Sequence, residues 1–323
     1  MNSYHYNIIP TGSLRLDYAL GCGGFPSGNF VEIRGLDSSG KTTLCLHTIA
    51  EAQKQGGICA IIDSDFGIYP QLCDQHEIDP ERLFISRTIY AEDALNILEM
   101  LTHSGAFSLI VLDSISSLIP RTEGKQSPLE HGEVSFEEIL SRKLRKLANQ
   151  KNDLKTCIIF TNLIPNHLSD IYHDLASNLS RLSLGLHAAI RLNLQESNAI
   201  LKNGKFVGQT VQIKIIKNTI SHHFLHPEFT IFMYNKGVDK IGEILSFGIK
   251  YKIIIKQGSS WYLQDQLIGC NYQEMVEFIK ENRNLAYQIE KEIHQYFNIP
   301  AQITQPFLIS EFSEQEFING MRE

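Results

Sequence analysis

The sequence predicts an α/β fold: a mainly parallel, twisted sheet with helices on both faces, extended by antiparallel strands and followed by a small α+β unit. Three observations predict it. In the first half, apolar runs alternate with helix-like stretches, and Ile58–Asp63, Phe107–Asp113 and Thr156–Asn162 are continuous enough to suit strands buried on both faces. In the second half, Ala188–Leu194, Val211–Lys217 and Phe229–Met233 follow one another as strands, which argues for antiparallel additions. Composition then changes near Ile241, where a compact remainder begins.

Taken in order, Ser13 to Leu20 reads as a short helix, closed by a Gly/Pro turn before the first core strand at Phe30–Ile33. A helix runs from Thr42 to about Gln55, and another from Ala91 to His103 leads into the strand ending at Asp113. Residues 121–138 are polar and precede a helix around Ile139 to Gln150. Beyond Ile241, Trp261–Leu263 reads as a strand and Tyr272–Phe297 as one or two helices. The expected division is a core over residues 1–240, a small unit over 241–298 and an acidic tail over 299–323 that carries Glu311, Glu314, Glu316 and Glu323. No internal repeat is visible.

The most informative stretch is Gly35-Leu-Asp-Ser-Ser-Gly-Lys-Thr-Thr43, which satisfies G-x-x-x-x-G-K-[ST] with a strand before it and a helix after it. Gly35 and Gly40 let the backbone curl so that amides from Asp37, Ser38, Ser39 and Thr43 point inward at a phosphate, and the helix adds its positive dipole end. Lys41 would reach the β- and γ-phosphates, and the Thr42 hydroxyl would join the shell of a bound magnesium ion. In such proteins the aspartate closing a nearby apolar strand, here Asp113, contacts that magnesium. Asp63 and Asp65 follow another strand end, where one carboxylate can orient the attacking water as a general base.

Composition bounds the rest. At 323 residues the chain holds one large domain or two, and 43% hydrophobic with 20% charged residues describes an ordinary soluble globule. No apolar run approaches the roughly 20 residues of a membrane helix, and no signal peptide is visible, so the expected place is the cytoplasm. The cysteines are scattered without a C-x-x-C pair, as in a reducing compartment. The net charge of −7 does not advertise a polyanion partner, so nucleic-acid binding would need a local basic surface.

Several motifs together resemble the bacterial RecA recombinase family. They are Pro10-Thr-Gly-Ser-Leu-Arg-Leu-Asp-Tyr-Ala-Leu-Gly21, Gly23-Gly-Phe-Pro-Ser-Gly28, Glu32 to Leu44 across the phosphate loop, and Ile110-Val-Leu-Asp-Ser114. Arg145-Lys-Leu-Ala148, Ile159-Phe-Thr-Asn162, Lys214-Ile-Ile-Lys-Asn218 and Gly242-Glu-Ile-Leu-Ser-Phe-Gly248 follow in the family's order, so the likeness runs from about Ile8 to Phe297. The resemblance implies a RecA-like P-loop ATPase core with a small C-terminal domain, ATP and Mg2+ as cofactors, and DNA recombination and repair as the work. It implies single-stranded DNA and further copies of the chain, or a RecA-type protein, as partners. It places the catalytic carboxylate at Asp65 and, at Lys217, a lysine that reaches a neighbouring subunit's ATP.

Departures from the family's pattern set further expectations. Only a few residues precede Ile8 where the family has a helix and strand that dock on the next subunit, so that arm is expected to be absent. The family's catalytic glutamate is Asp65, one methylene shorter, and its γ-phosphate-sensing glutamine is Leu163, which cannot bond a phosphate; turnover is therefore expected to be weak. The adenine-stacking tyrosine falls at Leu72, and the second interface lysine at Thr219. The first DNA loop, within 123–138, carries Glu123, Glu130, Glu133, Glu137 and Glu138 against Lys125. The second, within 164–185, carries Leu168, Ile171, Leu175, Leu179 and Leu182 at helical spacing, which reads as a packed helix or as a docking face. Lys250, Lys252 and Lys256 interleave with Tyr251, Trp261 and Tyr262 as the best local basic-aromatic patch, while Arg142, Lys143, Arg145 and Lys146 read as a mixed surface on one helix. His222, His223 and His226 are either exposed or metal-binding. Two functions remain: a DNA-dependent ATPase of recombination and repair, or an ATP-binding accessory paralogue that docks on a recombinase or repair polymerase without exchanging strands. A kinase has no acceptor site to support it.

Overall fold

The computed structural model of the chain describes residues 7–121, 136–149, 155–164, 184–202, 204–221, 230–233 and 236–296. Both DNA-loop expectations, apart from the ends of those segments, and the three histidines fall outside the described residues. The chain begins with β1 (Ile8–Ile9), α1 (Leu14–Leu20) and β2 (Phe25–Pro26), then enters β3 (Phe30–Gly35), the phosphate loop and α2 (Lys41–Lys54). Next come β4 (Cys59–Asp63), α3 (Pro70–Gln75), β5 (Leu83–Arg87), α4 (Ala91–Ser104), β6 (Leu109–Asp113), α5 (Phe136–Asn149) and β7 (Cys157–Leu163). The long strands β8 (Ile190–Lys202) and β9 (Lys205–Asn218) lead to β10 (Thr230–Met233) and β11 (Gly237–Val238). Among the described residues these strands, β1 and β2 apart, form one sheet in the order β11-β10-β9-β8-β3-β7-β6-β4-β5, parallel from β8 to β5 and antiparallel from β8 to β11. The predicted fold class therefore matches.

The apolar runs explain the layering. Alternate residues of a strand point to opposite faces. Val31, Ile33, Ile61, Val111 and Ile159 pack on one face under α2, while Phe30, Ala60, Ile62, Ile110, Leu112 and Phe160 pack on the other under α4 and α5. Of the basic cluster on α5, Lys143 and Lys146 pair with Glu99 of α4, while Arg142 and Arg145 are exposed. Two regions of the sheet go beyond expectation. The edge strand β5 is largely exposed, and its apolar run is only the three residues Leu83, Phe84 and Ile85. The β8–β9 ribbon continues well past Leu194 as a largely exposed two-stranded extension of mixed polarity.

The small unit consists of α6 (Lys240–Lys250), an antiparallel sheet of β12 (Ile254–Gln257), β13 (Ser260–Leu263) and β14 (Gln266–Gly269), then α7 (Tyr272–Glu281) and α8 (Arg283–Tyr296). Its own apolar core takes in Leu14 from α1. The junction with the core is polar and buried. Ser13 caps α1 by accepting from the Leu16 amide at 3.3 Å and donates to both oxygens of Glu243 at 2.9 and 3.1 Å. Lys240 at the start of α6 pairs with Glu51 of α2, which also takes Lys54 at 3.1 Å.

Candidate active site

The C-terminal ends of β3, β4, β6 and β7 converge on one crevice, where open α/β sheets place their ligands. Its cavity of about 830 Å³ is lined by the loop Asp37–Thr43 together with Asp65, Asp113 and Leu163. Gly35 is required by contact: a Cβ there would lie 2.5 Å from the Ser39 hydroxyl and 2.6 Å from the Leu194 carbonyl oxygen. Gly40 sits at φ 89°, the left-handed turn that opens α2. The Ser38 carbonyl accepts from Gln209 Nε2 of β9 at 2.8 Å, so the ribbon clasps the loop.

Charged groups face one another across this cavity. Lys41 Nζ donates to the carbonyls of Leu36 at 2.7 Å and Gly35 at 3.2 Å. Burial holds the Lys41 pKa below the ordinary lysine value, opposed by Asp37, Asp113 and Asp65. Burial raises the pKa of Asp113, against hydrogen bonds from Thr161 and Thr42. Thr42 Oγ1 donates to Asp113 Oδ2 at 2.6 Å, and Thr161 to the other oxygen. The Ser39 hydroxyl is buried without a hydrogen-bond partner among the described residues. An anion beside Lys41 and a cation beside Asp113 would reverse both pKa shifts, so the donors present suit a magnesium-bound phosphate chain. When bound, that group supplies the phosphoryl chemistry; Thr42 and Asp113 would hold the metal, with Lys41 and the loop amides on the phosphates.

Asp65 and Asp63 separate cleanly. Asp65 lines the cavity. Asp63 is buried, accepts the Gly67 and Ile68 amides, each at 3.1 Å, and pairs with Arg87 at 3.5 Å. The hydrogen bonds of Asp63 are used to turn the chain after β4, and Asp65 is the one of the two that faces the cavity. Lys217 is not in the cavity. It lies opposite Arg191, near the amino end of β3, and donates to the Gly185 and Leu186 carbonyls at 2.9 and 3.1 Å. Leu72 packs against the core beneath α2. Ser114, Ser116, Ser117, Phe206 and Gln209 also line the cavity, and sequence reasoning did not single them out. The run Ser114-Ile-Ser-Ser117 directly after a metal-site aspartate was a usable signal; Phe206 and Gln209 sit far along the chain and carried none. In the small unit, Lys256 stands over the Trp261 ring at 5.4 Å and Lys250 over Tyr251 at 5.6 Å, so the basic-aromatic interleaving exists in space.

Comparison with known proteins places this geometry in a lineage. The family model "RecA N-terminal domain" matches residues 2–239 and "RecA C-terminal domain" matches residues 242–298. The chain belongs to the RecA family. Curated relatives named Protein RecA include that of Fusobacterium nucleatum, 36% identical over 294 residues, covering 90% of this chain and 77% of the relative. That of Thermotoga neapolitana is 36% identical over 303 residues, 91% and 85% of the two chains. That of Mycoplasma mycoides is 37% identical over 304 residues, 91% and 86%. RecA-family membership makes this chain an ATPase of recombination and repair, and the accessory-paralogue alternative is not favoured. No helix among the described residues is long and apolar enough to cross a membrane.

Proposed function

We propose that this RecA-family protein binds ATP with Mg2+ in the cavity around Gly35–Thr43 and hydrolyses it slowly in response to single-stranded DNA. Lys41 and the loop amides of Asp37, Ser38, Ser39 and Thr43 hold the phosphates, Thr42 and Asp113 hold the metal, and Asp65 positions the attacking water. The single observation that supports this most is the 2.6 Å bond from Thr42 to Asp113 beside the partly buried Lys41 ammonium. Two features support slow turnover: Asp65 has a short reach, and the Leu163 side chain offers the cavity no hydrogen bond. The chain acts as a homo-oligomer or beside a RecA-type partner, in the cytoplasm, with Lys217 reaching the next subunit's nucleotide. Its position outside its own subunit's cavity supports that reading. Residues 1–240 serve as the ATPase core and 241–298 as the small C-terminal domain, with 299–323 an acidic tail.

The test is ATP turnover of the purified protein with and without single-stranded DNA, beside Lys41→Ala. Expected are DNA-stimulated release of phosphate and its loss in the variant. Nucleotide binding with no response to DNA would overturn the DNA-dependent part, and no nucleotide binding would overturn all of it.

A further inference from the structure

Three serine hydroxyls next to the metal-site aspartate have no part in the reading above. Ser114 Oγ lies 2.9 Å from Ser117 Oγ, 3.0 Å from Ser116 Oγ and 3.4 Å from Asp65 Oδ1. Ser116 Oγ accepts from the Leu163 amide at 3.1 Å. The order of protons along this chain follows from its two ends. An amide only donates, and a carboxylate only accepts. Ser114 has one proton and gives it to Asp65, so Ser116, whose oxygen also accepts from Leu163, donates to Ser114. Ser117 donates to the second lone pair of Ser114, so that this hydroxyl gives once and receives twice, its full capacity.

The anchor of the chain is rigid. Ser64 Oγ donates to the Ser114 carbonyl and accepts from the Ser114 amide, both at 2.7 Å, and the Ser64 amide donates to the Asp113 carbonyl at 2.8 Å. The ends of β4 and β6 are thereby locked together one residue from Asp65. Ser114 is buried, whereas Ser116 and Asp65 are exposed, so the relay runs through one interior hydroxyl between two groups at the cavity surface. The far end is Leu163, the last residue of β7, whose side chain lines the same cavity.

We infer that Ser116 and Ser114 are positioning residues for ATP hydrolysis: their hydroxyls aim the Asp65 carboxylate and tie it to the main chain at the end of β7. The inference rests on Asp65 as the water-positioning group. Ser116 touches neither water nor phosphate in this scheme; it acts through Ser114. What happens at the nucleotide is thus felt at the Leu163 amide through backbone and hydroxyls, where the leucine side chain can pass no hydrogen bond.

The test compares Ser116→Ala, Ser116→Thr and Asp65→Asn in the full chain, each checked for folding by thermal unfolding. Two readouts are used: steady-state ATP hydrolysis, and the amide resonance of Leu163 in 15N-leucine-labelled protein, titrated with the non-hydrolysed analogue ATPγS and magnesium. Loss of one aiming hydrogen bond in Ser116→Ala is expected to lower kcat about tenfold with KM within about twofold. Ser116→Thr keeps the hydroxyl and is expected to restore kcat. The Leu163 amide is expected to shift in Ser116→Ala, and also in Asp65→Asn, two bridges away. A folded Ser116→Ala with kcat unchanged, while Asp65→Asn loses turnover, would overturn the positioning role and leave Asp65 standing. Full turnover in Asp65→Asn would instead overturn the Asp65 reading itself. An unmoved Leu163 amide in Asp65→Asn would overturn the link to β7 whatever the rates.

Discussion

Lys41 and Lys240 are both partly buried lysines, and burial pushes the pKa of each downward, yet they end on opposite sides of the ordinary value. At Lys41 burial wins: its acids stand across a cavity and its ammonium bonds only carbonyls. At Lys240 the paired Glu51 outweighs burial and the pKa is raised. The first is a charge kept for something that arrives; the second is a charge already answered. The same contrast runs through their surroundings. Around the phosphate loop, the Ser39 hydroxyl lacks a partner among the described residues, and Asp113 is raised by burial. At the junction, burial pushes Glu51 up but Lys240 and Lys54 overrule it, holding it at about 2. The contrast is between these two lysines and their partners: Glu51 is answered by two cations, whereas Glu243 at the same junction is raised by burial as Asp113 is.

The sharpest way to break this contrast is Lys240→Met. Leaving Glu51 with Lys54 alone is expected to cost about 3–4 kcal/mol of stability at neutral pH, read from urea unfolding, with ATP affinity of the folded protein changed little. Lys41→Ala is the mirror image. It is expected to weaken ATP binding about 100-fold by fluorescence titration, with the thermal midpoint of the nucleotide-free protein unchanged or raised, because a partly buried ammonium is removed. If Lys41→Ala instead unfolds the protein, the lysine is structural and the contrast is lost.

Acid titration sharpens the junction side. Burial raises Glu243 from 4.5 to about 7. A carboxyl raised on folding stabilises fully below its unfolded value, and that contribution is lost as pH rises through the folded value. Glu243→Gln still accepts from Ser13 but does not titrate. Between pH 5 and pH 8 the parent is therefore expected to lose on the order of 2–3 kcal/mol relative to the variant, measured as urea midpoints at both pH values. A parallel pH response of the two proteins would show that Glu243 does not titrate in this window. The smallest effect is expected for Gly35→Ala. The Ser39 and Leu194 contacts crowd its Cβ, and overpacking of this kind costs about 1–3 kcal/mol. Its thermal midpoint checks the cost, and a weaker ATP affinity checks that the loop has shifted.

Much of the fold was legible because β4 and β6 are buried on both faces, and such strands must be written as unbroken apolar runs. The phosphate loop was legible because its chemistry lies within nine consecutive residues. What stayed hidden had no local requirement to reveal it. The edge strand β5 is largely exposed, and its three apolar residues Leu83, Phe84 and Ile85 are too short a run to mark a strand. The ribbon beyond Leu194 is held by backbone pairing and by the Thr210 hydroxyl on the Asn198 backbone, and residues such as Gln195, Asn198 and Ala199 are exposed. Asp63 and Asp65 look alike in sequence, and only the turn after β4 assigns one to structure and the other to the cavity. Lys217 could be placed near a nucleotide only by family likeness, since its own subunit keeps it away.

The clasp between Gln209 and the Ser38 carbonyl joins residues 171 positions apart. A protein made from its N-terminus onward therefore has every letter of the phosphate motif long before it has the finished loop. A nascent chain ending at α5 would carry the glycines, the lysine and both threonines, while the ribbon that holds the loop in shape had yet to be synthesised. Competence for nucleotide is in this sense one of the last properties the core acquires, although the residues responsible are among the first to be made.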